Sequence, residues 1–91
     1  MNNKVILESL VMDFKRVALG YYRHADKMSE RFYEESLRRI QEVDDNKISR
    51  YIVKILRDVE LLSKEQDKMR IGEYALMYST LIENYVRSRL L

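Results

Sequence analysis

The absence of proline and the presence of only two glycines in 91 residues constrain the fold of this chain more than any other feature. Hairpins and tight turns depend on these residues, so a β-rich fold would have almost no turn signals. The chain is also 46% hydrophobic and 35% charged, a mixture typical of amphipathic helices. We therefore predict an all-α protein, a compact antiparallel bundle of three to four helices forming a single domain over residues 1–91.

The length and the absence of cysteine limit the protein further. A chain this short has a thin core, so help from a partner is expected. Without cysteine there is no disulfide, no thiolate metal site and no thiol nucleophile, which favours an intracellular protein. The longest apolar runs, near Val5 to Leu7, are too short to span a bilayer, and the amino terminus lacks a signal-peptide layout. We expect a soluble, cytoplasmic protein without membrane contacts.

The first helix is predicted from apolar residues that recur at steps of three and four. These residues are Leu7, Leu10, Phe14, Val17, Tyr21, His24 and Met28. Gly20 falls on the opposite side, where we interpret it as a tolerated surface glycine; a kink or a close backbone contact is the alternative. We interpret His24 as a packed core or boundary histidine.

The boundaries of the next helices are predicted from capping residues. Ser29 is an N-cap candidate for a second helix near 30–43, and the EVDDN of residues 42–46 predicts a turn. A seven-residue apolar repeat then predicts one long third helix to about residue 70, although Ser63 to Gln66 fits a capping box that would end it earlier. The repeat comprises Ile48, Ile52, Ile55, Val59, Leu62, Gln66 and Met69. Gly72 is predicted as its left-handed end, before a fourth helix near 73–90.

The fourth helix is predicted to make the main protein contact. Its apolar residues cover more than one narrow stripe, and exposed apolar patches on small proteins usually mark interfaces. The predicted interface residues are Leu76, Met77, Tyr85 and Leu90. Self-association is the simplest form of this contact.

A row of cations on the third helix is a second candidate surface. Lys47, Arg50, Lys54 and Arg57 step along the side opposite the apolar repeat, and Lys64 with Lys68 would extend the row. The functional interpretation is contact with an acidic partner surface or a phosphate backbone. The alternative is an ordinary solvated face, because the net charge of +2 is too balanced to demand a polyanionic partner.

The sequence predicts neither catalysis nor a cofactor. His24 is the only histidine and has no acid or nucleophile at a useful spacing, and the serines lack a glycine-rich elbow. Glu30, Glu34 and Glu35 lack the Glu-x-x-His spacing of di-metal helical bundles, so no metal site is predicted. The seven tyrosines are interpreted mainly as packing residues, with base stacking as the alternative.

Three segments resemble the helical domain of archaeal GINS subunits. They are FYEESLRRIQE at 32–42, RYIVKILRDVELL at 50–62 and EYALMYSTLIENY at 73–85, with Lys54, Ile55 and Glu73 as matching positions. The chain lacks the proline common before the FYEE-like start and the room for the small β domain that these subunits usually add. The resemblance implies a non-catalytic scaffold of a replicative helicase assembly.

Two further interpretations remain open. A small helical accessory subunit of a replicative DNA polymerase would have the same sequence features. The YYR of residues 21–23, followed by Arg31 and Phe32, is similar to the LYR adaptors of iron-sulfur assembly, with tyrosine in place of leucine. The abundance of Ile, Tyr, Arg, Lys and Glu without Cys is compatible with a thermophile. We expect a non-enzymatic interaction subunit, with a direct nucleic-acid binder as the alternative.

Overall fold

The computed structural model describes residues 2–89 as a bundle of four α-helices. The helices are α1 (Asn3–Tyr22), α2 (Asp26–Gln41), α3 (Arg50–Leu61) and α4 (Lys68–Arg89). Single 3-10 turns at Asp45–Lys47 and Leu62–Lys64 flank α3. The prediction of an all-α helical bundle is confirmed. None of the helices in the described residues combines the length and the apolar character needed to cross a membrane.

Successive helices run antiparallel, as hydrogen bonds between their ends show. The Asn3 side-chain amide donates to the Asp44 carbonyl at 2.9 Å, which joins the start of α1 to the end of α2. The Ser49 amide donates to the Tyr85 hydroxyl at 3.2 Å, which joins the start of α3 to the end of α4. α1 packs closely on both α2 and α4, and α3 closes the fourth side of the bundle through its side chains.

Side-chain oxygens cap three of the helices. The Asn2 side chain accepts a hydrogen bond from the Val5 amide at 2.9 Å, and the Ser49 hydroxyl accepts one from the Ile52 amide at 3.3 Å. The Asp67 carboxylate accepts from the Met69 amide at 3.0 Å at the start of α4. Such caps satisfy backbone donors that have no partner within the helix, and they fix where each helix begins.

Residues from all four helices form one hydrophobic core. α1 contributes more core residues than any other helix, and Phe14 is the largest of the fully buried side chains. The other core residues are Ile6, Leu7, Leu10, Val11, Val17, Tyr21, Ile40, Ile52, Ile55, Leu56, Val59, Leu62, Ala75, Tyr78, Ile82 and Val86. The predicted apolar seam of the third helix is buried from Ile52 to Leu62, whereas its last two residues, Gln66 and Met69, are exposed.

The boundary between the first two helices differs from the prediction. α1 ends at Tyr22, and His24 is an exposed turn residue with φ of 59°, so its interpretation as a packed histidine is wrong. Ser29 is not an N-cap, because α2 already begins at Asp26. Its hydroxyl is buried and donates to the Val17 carbonyl at 2.7 Å.

Gly20 is buried where α1 and α2 meet, so the surface interpretation is wrong and the alternative of a close backbone contact is right. A Cβ at this position would lie 3.0 Å from the Ser29 amide nitrogen and 3.1 Å from the Ala25 carbonyl oxygen. It would also collide with the Ser29 hydroxyl. Only glycine lets the two backbones approach this closely.

The predicted long third helix is interrupted. α3 ends at Leu61, the turn that follows reaches Lys64, and α4 begins at Lys68 rather than at 73. The break falls on the capping-box segment that was the alternative end, and Asp67 provides the new cap. Gly72 is therefore not a C-terminal cap; it lies buried inside α4 against α1. The predicted turn at 42–46 is confirmed.

Candidate protein-interaction surface

A groove runs along the outside of the bundle where α1 and α4 lie side by side. Its floor is made of small residues, because Ala18 of α1 faces Gly72 of α4. A Cβ added at Gly72 would meet the Ala18 Cα at 3.6 Å and the Tyr21 Cβ at 3.5 Å, which is ordinary van der Waals contact. Because these floor residues are small, the larger side chains on either side project beyond them and form the walls of the groove.

The walls of this groove are exposed apolar side chains. α1 provides Leu19 and Tyr22, which are 40% and 74% exposed. α4 provides Met69 and Leu76, which are 48% and 52% exposed. The space between them is about 300 Å³. We call this feature the α1/α4 groove, and it consists of Ala18, Leu19, Tyr22, Met69, Gly72 and Leu76, with Lys15 and Glu73 on its rim.

The rim of the α1/α4 groove carries one base, Lys15, and one acid, Glu73. Lys15 is paired with Glu83 across the two helices at 3.4 Å, and such an exposed pair contributes little to stability. Glu73 makes no ion pair within residues 2–89. The rim therefore offers a free carboxylate beside an apolar centre.

The most buried charge lies on the other side of α1 and has a structural role. Asp13 is 1% exposed and receives a hydrogen bond from Arg39 Nε at 2.7 Å. Burial raises the pKa of Asp13, while the hydrogen bond and the charge of Arg39 act in the opposite direction. The pair ties α1 to α2. The carboxylate is sealed from solvent and already bonded, so it offers no site for a substrate.

Tyrosines also hold helices together. The Tyr33 hydroxyl donates to the Val59 carbonyl at 2.8 Å, which links α2 to α3, and burial raises the pKa of Tyr33. Within α4, Tyr74 and Tyr78 stack with ring centroids 6.2 Å apart. Burial likewise raises the pKa of Tyr78. The predicted packing role holds for the buried or half-buried tyrosines, which are Tyr21, Tyr33, Tyr78 and Tyr85. The others, Tyr22, Tyr51 and Tyr74, are exposed.

The four predicted interface residues do not form one patch. Leu76 lines the α1/α4 groove, whereas Met77 follows it by one residue and so leaves the helix about 100° further around. Met77 is 45% exposed but does not line the groove. Tyr85 is half-buried and bonded to Ser49. Leu90 lies outside the described residues.

The predicted basic face is largely neutralised by carboxylates. Lys54 pairs with Asp58 at 3.5 Å, and Arg57 pairs with Asp45 at 2.8 Å and also with Glu60. The two ends of the face, Lys47 and Lys68, pair with Asp44 and Asp26 at 3.9 Å and 2.7 Å.

The two remaining cations of this face are Arg50 and Lys64, which have no ion-pair partner in the described part of the chain. Lys68 belongs to α4 rather than to the third helix, so the predicted extension of the row along one helix is wrong.

Among residues 2–89, no three His, Cys, Asp or Glu side chains lie close enough together to hold a metal ion.

Sequence reasoning missed the α1 wall of the groove and the Asp13–Arg39 pair. Both depend on α1 having neighbours on two sides, so that only a narrow outer strip of it stays exposed. A usable signal was the set of small residues Gly20, Ser29, Gly72 and Ala75, since small residues let helices approach closely. No protein-family model, curated protein or solved structure matches this chain. The resemblances to GINS subunits and LYR adaptors therefore stay predictions.

Proposed function

We propose that this chain is a non-enzymatic protein-interaction subunit that receives a partner in the α1/α4 groove. The observation that carries the proposal is the juxtaposition of four exposed apolar side chains over a floor of Ala18 and Gly72. A stable monomer rarely leaves such a group uncovered without a use for it. The groove combines an apolar centre with a polar rim, which is the usual layout of a protein interface.

The occupant that fits is a helix of another protein with an apolar face and a basic residue at its edge. A helix laid in a groove presents side chains at steps of three and four, which can fill the space between Leu19, Tyr22 and Leu76. The free carboxylate of Glu73 would pair with the basic residue. On the resemblance to GINS subunits, we propose that the partner belongs to a DNA replication assembly, associated with a helicase or a DNA polymerase.

The alternative of direct nucleic-acid binding has less support. Four of the six cations of the predicted basic face have carboxylate partners within 4 Å, which reduces the charge that this face offers to phosphates. Phosphate contacts by the remaining two, Arg50 and Lys64, would give a log–log salt slope of about −2. A steeper slope in a DNA-binding titration would favour the alternative.

The proposal is tested by comparing Leu76→Glu with Met77→Glu. The two residues are neighbours on α4 with similar exposure, but only Leu76 lines the groove. Each tagged variant and the parent chain are used to capture partners from native extract, with and without nuclease. We expect Leu76→Glu to recover about tenfold less of a nuclease-resistant partner, since a buried charge at the centre of an interface is costly. Met77→Glu should recover as much as the parent chain.

Two outcomes would contradict this proposal. If both variants lose the partner equally, or neither does, the groove is not the docking surface. If nuclease releases the partner and the double change of Arg50 and Lys64 to Glu abolishes its recovery, the chain acts through nucleic acid. Far-ultraviolet circular dichroism of each variant verifies that the helices are intact.

A further inference from the structure

A second exposed apolar feature runs along the outward face of α1. Val5, Met12 and Leu19 are 41%, 48% and 40% exposed, and they follow one another at intervals of seven residues. Seven residues make nearly two helical turns, so the three side chains form a line about 21 Å long. We call this line the outer α1 stripe. A seven-residue apolar spacing is the pattern by which two helices pair along their length.

One flank of the outer α1 stripe carries opposite charges at the same interval. Glu8 and Lys15 are also seven residues apart, and they lie on the α4 side of the stripe beside Met12. Glu8 makes no ion pair within residues 2–89. Lys15 is 44% exposed, and its 3.4 Å pair with Glu83 is weak enough to be exchanged.

These positions are complementary to themselves when a second α1 lies antiparallel on the first. With Met12 facing Met12 of the second copy, Val5 faces the second copy's Leu19, and Leu19 faces its Val5. In an antiparallel helix pair the same flanks meet, so Glu8 comes opposite the second copy's Lys15. A two-fold axis through Met12 makes each of these contacts twice, as an isologous interface requires.

We propose that two copies of this chain associate through the outer α1 stripe, antiparallel about a two-fold axis at Met12. The inference rests on the proposed function only in taking the chain to act through protein contacts, because the two surfaces share only Leu19 and the flanking Lys15. The complementarity of both charge and register favours a second copy over an unrelated helix, which would need the same spacings independently. A bundle of this size also gains from association because its own core is small.

The first test uses the absence of cysteine from the chain, so that one substitution introduces the only thiol. On the two-fold axis, the Met12→Cys thiols of two copies meet, and mild oxidation should give a disulfide-linked dimer in most of the sample. Val5→Cys and Leu19→Cys alone should not cross-link, because equivalent copies of each lie about 21 Å apart along the pair. An equal mixture of Val5→Cys and Leu19→Cys chains should cross-link to each other.

The matched control is Met77→Cys, a similarly exposed methionine that lies off the stripe, and oxidation should give it no disulfide-linked dimer. Sedimentation of the unmodified chain should give about twice the 11.0 kDa mass of one copy. The inference is overturned if the parent chain sediments as a monomer up to millimolar concentration. It is also overturned if Met77→Cys or the single Val5→Cys chain cross-links as well as Met12→Cys does.

The second test reverses the flanking charges. Glu8→Lys or Lys15→Glu alone places like charges opposite each other twice per dimer. We therefore expect the dissociation constant of the dimer to rise about tenfold. The double variant should regain most of the parent's affinity, since each new lysine faces a new glutamate. Failure of the double variant to recover would overturn the antiparallel register.

The two proposals fail separately. Leu76→Glu should still dimerise, so loss of partner capture with an intact dimer contradicts only the groove. A monomeric chain that still captures its partner contradicts only the dimer. Circular dichroism confirms that each variant keeps its helices.

Discussion

The two long contacts of α1 differ in how closely the backbones approach and in what fills them. Toward α2, the missing side chain of Gly20 leaves room for the Ser29 amide and hydroxyl, and the seam also holds the Asp13–Arg39 ion pair. Toward α4, a Cβ added at Gly72 would lie at ordinary contact distance from Ala18 and Tyr21. At its glycine the first contact is tighter, and it contains polar groups; at its glycine the second has ordinary spacing and apolar neighbours.

The α1/α2 contact therefore holds the bundle together, whereas the α1/α4 contact leaves apolar surface exposed beside it. The polar groups at the α1/α2 contact are hydrogen-bonded within it. The Ser29 hydroxyl donates to the Val17 carbonyl, and the Asp13 carboxylate accepts from Arg39. Among the described residues, no buried side-chain nitrogen or oxygen lacks a hydrogen-bond partner. The α4 contact leaves apolar side chains standing along its edge, which is why we place the partner there.

Removing the charge of Arg39 should destabilise the bundle more than a substitution at either glycine. Arg39→Met leaves the Asp13 carboxylate buried without its partner, and breaking such a pair costs about 3 kcal/mol. We expect the urea midpoint at pH 7 to fall accordingly. The double variant Asp13→Leu with Arg39→Met is the control, and it should recover most of the loss because apolar residues can replace a buried ion pair.

The pH dependence identifies Asp13 as the source of that loss. Burial already raises the pKa of Asp13 above its ordinary value of 3.8, and Arg39 opposes this rise. A carboxyl with a higher pKa in the folded state binds protons on folding, so its contribution is most favourable below pH 3.8 and is lost as the pH rises through the folded pKa. Without Arg39 that pKa rises further. The deficit of Arg39→Met should therefore shrink between pH 7 and pH 4; a constant deficit would contradict this origin.

The fold class and much of the core could be predicted from sequence because they depend on local spacing. The scarcity of glycine and proline indicated helices, and the seam through Ile52, Ile55 and Val59 is buried. The helix ends were harder, because the chain turns without glycine or proline. His24 takes the left-handed conformation in the turn after α1. The seven-residue apolar spacing continues in the sequence as far as Met69 although the helix has been interrupted, and Met69 is 48% exposed.

The candidate site was only half predictable. Leu76 followed from the broad apolar character of the last helix, but its opposite wall, Leu19 and Tyr22, depends on which side of α1 faces α4. The burial of Asp13 and Gly20 likewise depends on which side of α1 faces α2. Sequence periodicity assigns each helix one buried face, whereas α1 has neighbours on both flanks.

Adding a methyl group at Gly20 should break the tight contact. Gly20→Ala places a Cβ against the Ser29 hydroxyl and within 3.1 Å of two backbone atoms of the 25–29 segment. Overpacking of this kind, after the gain in helix propensity is subtracted, should cost about 2 kcal/mol in urea unfolding.

The Ser29→Ala variant tests where that strain arises. Alone it should cost about 1 kcal/mol through the lost hydrogen bond to Val17. Combined with Gly20→Ala, it should cost less than the sum of the two single changes because the collision with the hydroxyl is gone. Simple additivity would show that the backbone atoms alone set the limit.

The same substitution in the loose contact should have the smallest effect and the opposite sign. Gly72→Ala adds a Cβ that meets the Tyr21 Cβ at 3.5 Å and the Ala18 backbone at 3.6–3.7 Å, so no neighbour has to move. Alanine is favoured over glycine inside a helix by about 1 kcal/mol, and Gly72 lies within α4. We therefore expect a gain of up to about 1 kcal/mol, measured by urea unfolding beside Gly20→Ala. A loss of stability in Gly72→Ala would mean that α4 approaches α1 as tightly as α2 does, and the distinction between the two contacts would fail.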